Sequence, residues 1–314
     1  MHGKKSLAGY TLLEILIIIV LIAIFSAGFL SFFMGILRTE RQVRFLVKSE
    51  ADVSALRTTL RKELQSIGFG ISADYLRVNP ESCDDTSVIS GNSTYLCYLS
   101  LASRQTKWAG CWWVVDGAGN PINSTSAKNR FGGLCPDPNS MDDEFCLYLD
   151  SNRNLHTIDR CNLANNHPSK IIFFLYSNNS TNYPSDYKVE VRLYETTTVD
   201  RACAPGLNKA LGLKLGRTPI QPLVSCVYDF RIRFIDKDGN PKTELPRSIQ
   251  DLSGLRVCLI VQAGSRGSIR YEFPQYSERC GETRLPSDDS YYFYPFKVIE
   301  EEISLPNLKG WATQ

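Results

Sequence analysis

Read for its apolar and polar positions, the chain has three successive textures. From Ile15 to Leu37 no residue is charged and almost every position is apolar. About 20 such residues cross a bilayer as a helix. From Arg38 to Gln65 the pattern turns amphipathic: charges are frequent and Pro and Gly are absent. Val53, Leu56, Leu60, Leu64 and Ile67 recur at steps of three and four, which lines one helix face. Gly68, followed by Gly70, supplies the stop. Together these stretches predict one helix from Tyr10 to Ile67, about 87 Å long at 1.5 Å per residue. Half of it would lie in a membrane and half on a soluble domain.

Beyond Ile71, Gly, Asn, Ser, Asp and Pro punctuate short β-rich runs. Candidate strands are Tyr95–Leu101, Cys111–Val115, Phe145–Leu149, Ile171–Tyr176, Tyr187–Tyr194, Val227–Ile235, Leu255–Gln262 and Tyr292–Leu305. Tyr228 to Phe234 and Lys188 to Leu193 alternate apolar and charged residues. Period-two alternation predicts half-buried antiparallel strands under the amphipathic half of the helix. Ser82–Thr94, Gly117–Asp143 and Ser177–Ser185 read as loops. The expected fold class is therefore α+β, a long N-terminal helix packed on an antiparallel sheet with large loop insertions.

The start of the apolar run does not fit a secretory signal. Such a signal has a shorter apolar region and a small-residue cleavage site after it. Here the run is long, Ser26-Ala27-Gly28 lies inside it, and the small residue Gly9 precedes it. Glu14 stands at the mouth of the run, where a carboxylate is costly and normally has a partner. The other reading is a signal anchor with Glu14 in the headgroups. Gly9-Tyr10-Thr11-Leu12-Leu13-Glu14 and the uncharged stretch after it resemble the class III signal of type IV prepilins and pseudopilins. The resemblance implies cleavage by a prepilin peptidase between Gly9 and Tyr10, and N-methylation of Tyr10. It also implies that Glu14 neutralises the new amine of a neighbouring subunit. An amine and a carboxylate in low dielectric are each costly alone and far less costly as a pair. Lys4 and Lys5 would hold the N-terminus in the cytoplasm.

The resulting layout is a leader over residues 1–9, a transmembrane segment over 10–37, its amphipathic continuation over 38–68 and an extracytoplasmic β-rich domain over 69–314. The helix end near Arg61 to Gly70 is similar to PilW-type minor pilins. So is the series from Asp236-Lys237-Asp238-Gly239-Asn240 through Leu255 to Val261 and the closing segment from Val298. Roughly Ser72 to Pro222 resembles nothing nameable. Ala23, Ala27, Ser31 and Gly35 recur every four residues. That is either a packing seam with neighbouring helices or ordinary small-residue usage.

Charge changes the picture little. The chain has 35 basic and 33 acidic residues, and losing Lys4 and Lys5 leaves a neutral mature chain. Neutrality offers no global attraction to nucleic acid or anionic lipid. The 10 cysteines matter more. Cys83, Cys97, Cys111, Cys135, Cys146, Cys161, Cys203, Cys226, Cys258 and Cys280 all follow the apolar run. An even number in an exported domain favours disulfides, whose pairing the spacing leaves open.

Catalytic and metal chemistry find little purchase. Asp236-x-Asp238-x-Asn240 begins like a calcium loop, but Pro241 stands where the turning glycine belongs and Arg247 where the closing glutamate belongs. A hairpin turn explains Asp238-Gly239 better. Asp142-Asp143-Glu144 reads as a solvated loop. His156 and His167 lie in polar, loop-like sequence, and no phosphate loop occurs. Trp112-Trp113 is core or a partner surface. No enzyme, cofactor or metal is expected. The sequence points to a minor pilin that primes or caps a type IV pilus, placed in the bacterial inner membrane by a single span before entering the pilus. Its partners would be other minor pilins, the major pilin, the prepilin peptidase and the inner-membrane assembly platform. The alternatives are a minor pseudopilin of a type II secretion system and a tip-located adhesin or DNA-binding pilin.

Overall fold

The computed structural model describes residues 53–83, 86–102, 111–115, 128–129, 146–150, 152–158, 171–175, 187–196, 203–216 and 218–308. The chain divides into Met1–Ala51 and Asp52–Gln314, and every described residue belongs to the second unit.

The amphipathic stripe folds as a helix over residues 53–65, α1. Leu56, Leu60 and Leu64 are buried along one face, with Ile67 just past its end. The stop falls where two glycines permit it: Gly68 has φ +76° and Gly70 φ +70°. A Cβ on Gly68 would also stand 2.6 Å from Leu308 Cδ2. The helix-end carbonyls, which lack intrahelical partners, are taken by side chains from far away in sequence. Asn307 Nδ2 donates to the Gln65 and Ile67 carbonyls at 2.8 and 3.1 Å. Arg153 donates to the Gly68 carbonyl at 3.3 Å.

Three sheets follow. The six-stranded sheet runs β1 (Val78–Asn79), β2 (Ile89–Gly91), β3 (Tyr95–Leu99), β9 (Lys188–Glu195), β10 (Lys209–Leu215), β11 (Gln221–Val224). Only its β1–β2 pair is parallel. The five-stranded sheet runs β5 (Lys128–Asn129), β4 (Cys111–Val115), β8 (Ile171–Leu175), β6 (Cys146–Leu149), β7 (Leu155–Ile158). The four-stranded sheet runs β13 (Pro241–Lys242), β12 (Val227–Asp236), β14 (Leu252–Gln262), β15 (Phe296–Ser304), antiparallel throughout.

The main core lies between α1 and these sheets. Phe230, Ile232 and Phe234 of β12, Leu255, Val257 and Leu259 of β14, and Ile299 and Ile303 of β15 join the helix leucines. Val189 and Val191 of β9 and Leu96 and Tyr98 of β3 enter the same cluster. Polar contacts fix the helix on both sides. The Tyr98 hydroxyl donates to the Glu63 carbonyl at 3.2 Å. Arg57 and Arg61 reach Glu301 of β15 at 3.6 and 2.6 Å.

The described chain corrects the expected α+β, pilin-like fold with a long N-terminal helix: it is mainly β, and α1 is its one helix of seven or more residues. Among the described residues no helix is long and apolar enough to cross a membrane. The expected transmembrane helix, and with it the single-pass inner-membrane placement, is therefore corrected as well. The stretch expected to span, residues 10–37, lies outside the described residues, and α1 belongs to the stretch expected as its amphipathic continuation. At about 1.5 Å per residue its 13 positions reach only ~20 Å, and its exposed face carries Arg57 and Arg61. Its apolar stripe is already spent on the sheets.

Candidate functional site

Gly9, Tyr10, Glu14, Ala23, Ala27, Ser31 and Gly35 lie outside the described residues. Among the described residues three cysteine pairs are bonded: Cys83–Cys97, Cys203–Cys226 and Cys258–Cys280. Cys111 and Cys146 are placed by their backbones in β4 and β6, and Cys135 and Cys161 lie outside the described residues.

Two of these bonds belong to a second, smaller core on the far face of the four-stranded sheet. Cys203, Cys258, Ile260, Phe273, Tyr276, Cys280, Tyr294 and Phe296 form it, with Tyr228, Tyr291 and Val298 against them. Residues 263–295 cover this face as a strap between β14 and β15. The sequence keeps them out of the ladder with Gly264, Gly267, Pro274, Gly281, Pro286 and Pro295. A 3-10 turn, Asp289–Phe293, is their regular element, and the Asp288 carboxylate caps it by accepting from the Ser290 amide at 2.8 Å. That bond holds the Asp288 carboxyl below its ordinary range. The rings meet edge to face: Tyr228 and Phe273 centroids are 4.8 Å apart, and Tyr228 and Tyr291 are 5.8 Å apart. Such pairs add to simple area burial.

Alternation along β12 sends Arg231 and Arg233 to this same face, where the strap uses them. Arg233 donates to the Cys280 carbonyl from Nε and Nη2 at 3.2 and 2.8 Å. Arg231 Nη1 donates to the Glu282 carbonyl at 2.7 Å, and its Nε pairs with Asp229 at 2.8 Å. The Arg231 guanidinium lies 5.2 Å over the Tyr276 ring. From β15, Glu300 accepts from the Ser277 amide and hydroxyl at 2.7 and 2.6 Å. Burial, then the charge of Asp229, pushes the Tyr276 hydroxyl far up. Burial, then the Arg231 charge, lowers Arg233.

The outer surface of the strap is less ordinary. Ile269 and Leu285, 61% and 50% exposed, are the exposed large hydrophobics of the described chain, and both sit here. Arg266 lies over the Phe293 ring at 5.6 Å and Arg270 over Tyr292 at 4.5 Å. The Gly267 amide donates to the Phe293 carbonyl, and the Tyr271 amide to the Tyr292 carbonyl, at 2.7 and 2.6 Å. These bonds clip the turn to the 3-10 element. This surface was not among the sequence expectations. Its signal was available: from Ala263 to Phe296 there is no lysine, while arginine and tyrosine recur.

Elsewhere, Asp236 organises the β12–β13 turn rather than a cation. Its carboxylate accepts from the Asp238 and Asn240 amides at 3.0 and 2.8 Å and faces Lys242 at 3.6 Å. The Asn240 amide is the main reason its carboxyl is held below the ordinary range. A cleft of about 810 Å3 opens beside this turn, floored by Pro80, Gly91 and Leu245 and rimmed by both signs of charge. His156 of β7 approaches Asp150 of the β6–β7 turn at 3.4 Å. Trp112 is partly buried against the main core. Among the described residues no group of three or more His, Cys, Asp or Glu could hold a metal. No family model, no curated protein and no solved structure matches the chain.

Proposed function

We propose that this chain is a non-catalytic assembly protein of the prepilin class, a minor pilin that primes or caps a type IV pilus. The observation that carries the proposal is Gly9-Tyr10-Thr11-Leu12-Leu13-Glu14. A prepilin peptidase cuts between Gly9 and Tyr10, and Tyr10 becomes the methylated N-terminus. Glu14 then meets the amine of a neighbouring subunit, because each charge is costly alone away from water and the pair is much less so. Other minor pilins, the major pilin and the assembly platform are the partners this role requires. Three features of the described chain are compatible with it. An amphipathic helix docks on an antiparallel sheet through Leu56, Leu60 and Leu64. Three disulfides suit an oxidising environment. The strap presents apolar and arginine side chains outward.

The test is Glu14→Ala in the native cell. Surface filaments should fall about tenfold or more, the effect of leaving one buried charge without its partner, while cleavage after Gly9 continues. Normal filament numbers in that variant would sink the proposal.

A further inference from the structure

We infer that residues 103–186 are a module inserted into a frame that folds without them, and that this module serves a role apart from assembly. The second half of that statement rests on the assembly role proposed above; the division itself rests on a register. Leu99 of β3 and Lys188 of β9 are Cα partners, and the Ser100 amide donates to the Tyr187 carbonyl at 3.1 Å. Adjacent antiparallel strands ordinarily close with a turn of a few residues. Here the chain leaves the six-stranded sheet after Ala102, builds the five-stranded sheet from β4 to β8, and returns at Tyr187 beside the point it left. Leu101, Ala102 and Tyr187 are buried in the main core, so both ends of the neck belong to the frame. A long excursion of this kind in a compact domain carries function rather than mere connection.

Three further observations support the division. Among the described residues, strands of the five-stranded sheet pair only with one another. An independent sheet needs about three strands with an apolar face, and the middle strand here, β8, is the unbroken apolar run Ile171-Ile172-Phe173-Phe174-Leu175. Next, Cys83–Cys97, Cys203–Cys226 and Cys258–Cys280 all join cysteines outside residues 103–186. Cys111, Cys135, Cys146 and Cys161 are left with only one another. Finally, the frame has its own core. Leu56, Leu60 and Leu64 of α1 share it with Phe230, Leu255 and Ile299 of the four-stranded sheet and with Leu96 and Val189 of the six-stranded one. Asn307 holds the helix end through the Gln65 and Ile67 carbonyls. The insertion is seated on this frame through Leu149, which enters the main core, and Trp112, which packs against it. Arg153 adds bonds to the Gly68 and Asn307 carbonyls at 3.3 and 3.0 Å. Losing these contacts lowers stability but removes no strand from the six- or four-stranded sheet.

The experiment deletes residues 103–186 from the full chain in the native cell and joins Ala102 to Tyr187 through a flexible linker of about six Gly and Ser residues. Cys83–Cys97, Cys203–Cys226 and Cys258–Cys280 should all form, and α1 and β14 should stay protected from hydrogen exchange. A variant that is degraded, or in which those bonds are scrambled, overturns the inference. Disulfide mapping of the unaltered chain is the second arm and does not depend on the deletion folding. A bond from Cys111, Cys135, Cys146 or Cys161 to any of the six frame cysteines overturns the inference as well. Filament number should be unchanged in the deletion variant. Loss of filaments from a variant with the three frame bonds intact would place the module inside the assembly function and overturn its separate role. If residues 1–9 are never removed from the unaltered chain, the assembly role fails, while the frame and module are still judged by the bonds and the exchange.

Discussion

Glu301 shows how much one side chain can organise here. It lies between Ile299 and Ile303 on the helix-facing side of β15, and it draws in Arg57 and Arg61. Its neighbours Glu300 and Glu302 face the strap and meet Arg256 and Arg279. Three consecutive glutamates thus bind the helix to one face of the sheet and the strap to the other. Both helix arginines are about half exposed, so each pair is worth only a fraction of a kcal/mol to about 1 kcal/mol. Glu301→Gln should therefore cost about 1 kcal/mol in denaturant unfolding and should loosen α1 before the sheets, as hydrogen exchange would register. Equal loosening of α1 and the strap would contradict that division. Tyr98 gives a pH signature. Burial, then the charge of Glu63, raises its hydroxyl pKa well above the ordinary value. A raised pKa gives stability that is complete below the unfolded value near pH 10 and lost as pH rises beyond it. Tyr98→Phe should lose about 1 kcal/mol at neutral pH with the bond to the Glu63 carbonyl and should flatten the alkaline decline. A variant whose decline above pH 10 matches the parent would place the titration elsewhere.

At the scale of elements, the strap and α1 depend on different links. The strap has no ladder of its own, so Cys258–Cys280 and the arginine-to-carbonyl bonds must position it. Replacing both Cys258 and Cys280 with alanine should cost about 2–5 kcal/mol and should expose residues 263–295 to protease while β12 and β14 stay protected. Simultaneous loss of strap and sheet would mean that the two cores form one cooperative unit. Much of the element layout was legible in the sequence, because local pattern and burial agree there. The stripe Leu56, Leu60, Leu64 became α1, Gly68 became its stop, and the alternation from Tyr228 to Phe234 became β12. Where a tertiary contact set the conformation, the pattern misled. Lys209–Leu215, which carries Gly212, was not among the candidate strands. In the fold it is β10, with a register shift between Leu211 and Gly212, and a Cβ on Gly212 would stand 2.4 Å from Ile220 and 2.5 Å from the Tyr194 ring. Ser82–Thr94 read as a loop but holds β2, which pairs in parallel with β1 and antiparallel with β3. The charged face of β12 read as solvated, and only the strap, which carries no periodic signal, explains why Arg231 and Arg233 are covered.

At the scale of the whole molecule, two things have to be joined. The functional residues nominated by sequence, Gly9, Tyr10 and Glu14, precede the described fold, and the fold adds a surface that no motif announced. The disulfide chemistry was legible from cysteine number, whereas the pairing was not, because it depends on which strands lie side by side: Cys258 on β14 meets Cys280 only because the strap doubles back. The long N-terminal helix was expected from an apolar run and a stripe placed end to end; among the described residues only the stripe is helical, as the short α1, with its apolar face turned to the β-sheets. The central claim is that the chain is cut after Gly9 and then built into a surface filament, and peptide mass spectrometry of sheared filaments from the native cell tests it most directly. The predicted result is a peptide that begins at N-methylated Tyr10 in the filament fraction; a chain that keeps residues 1–9 in every fraction contradicts it.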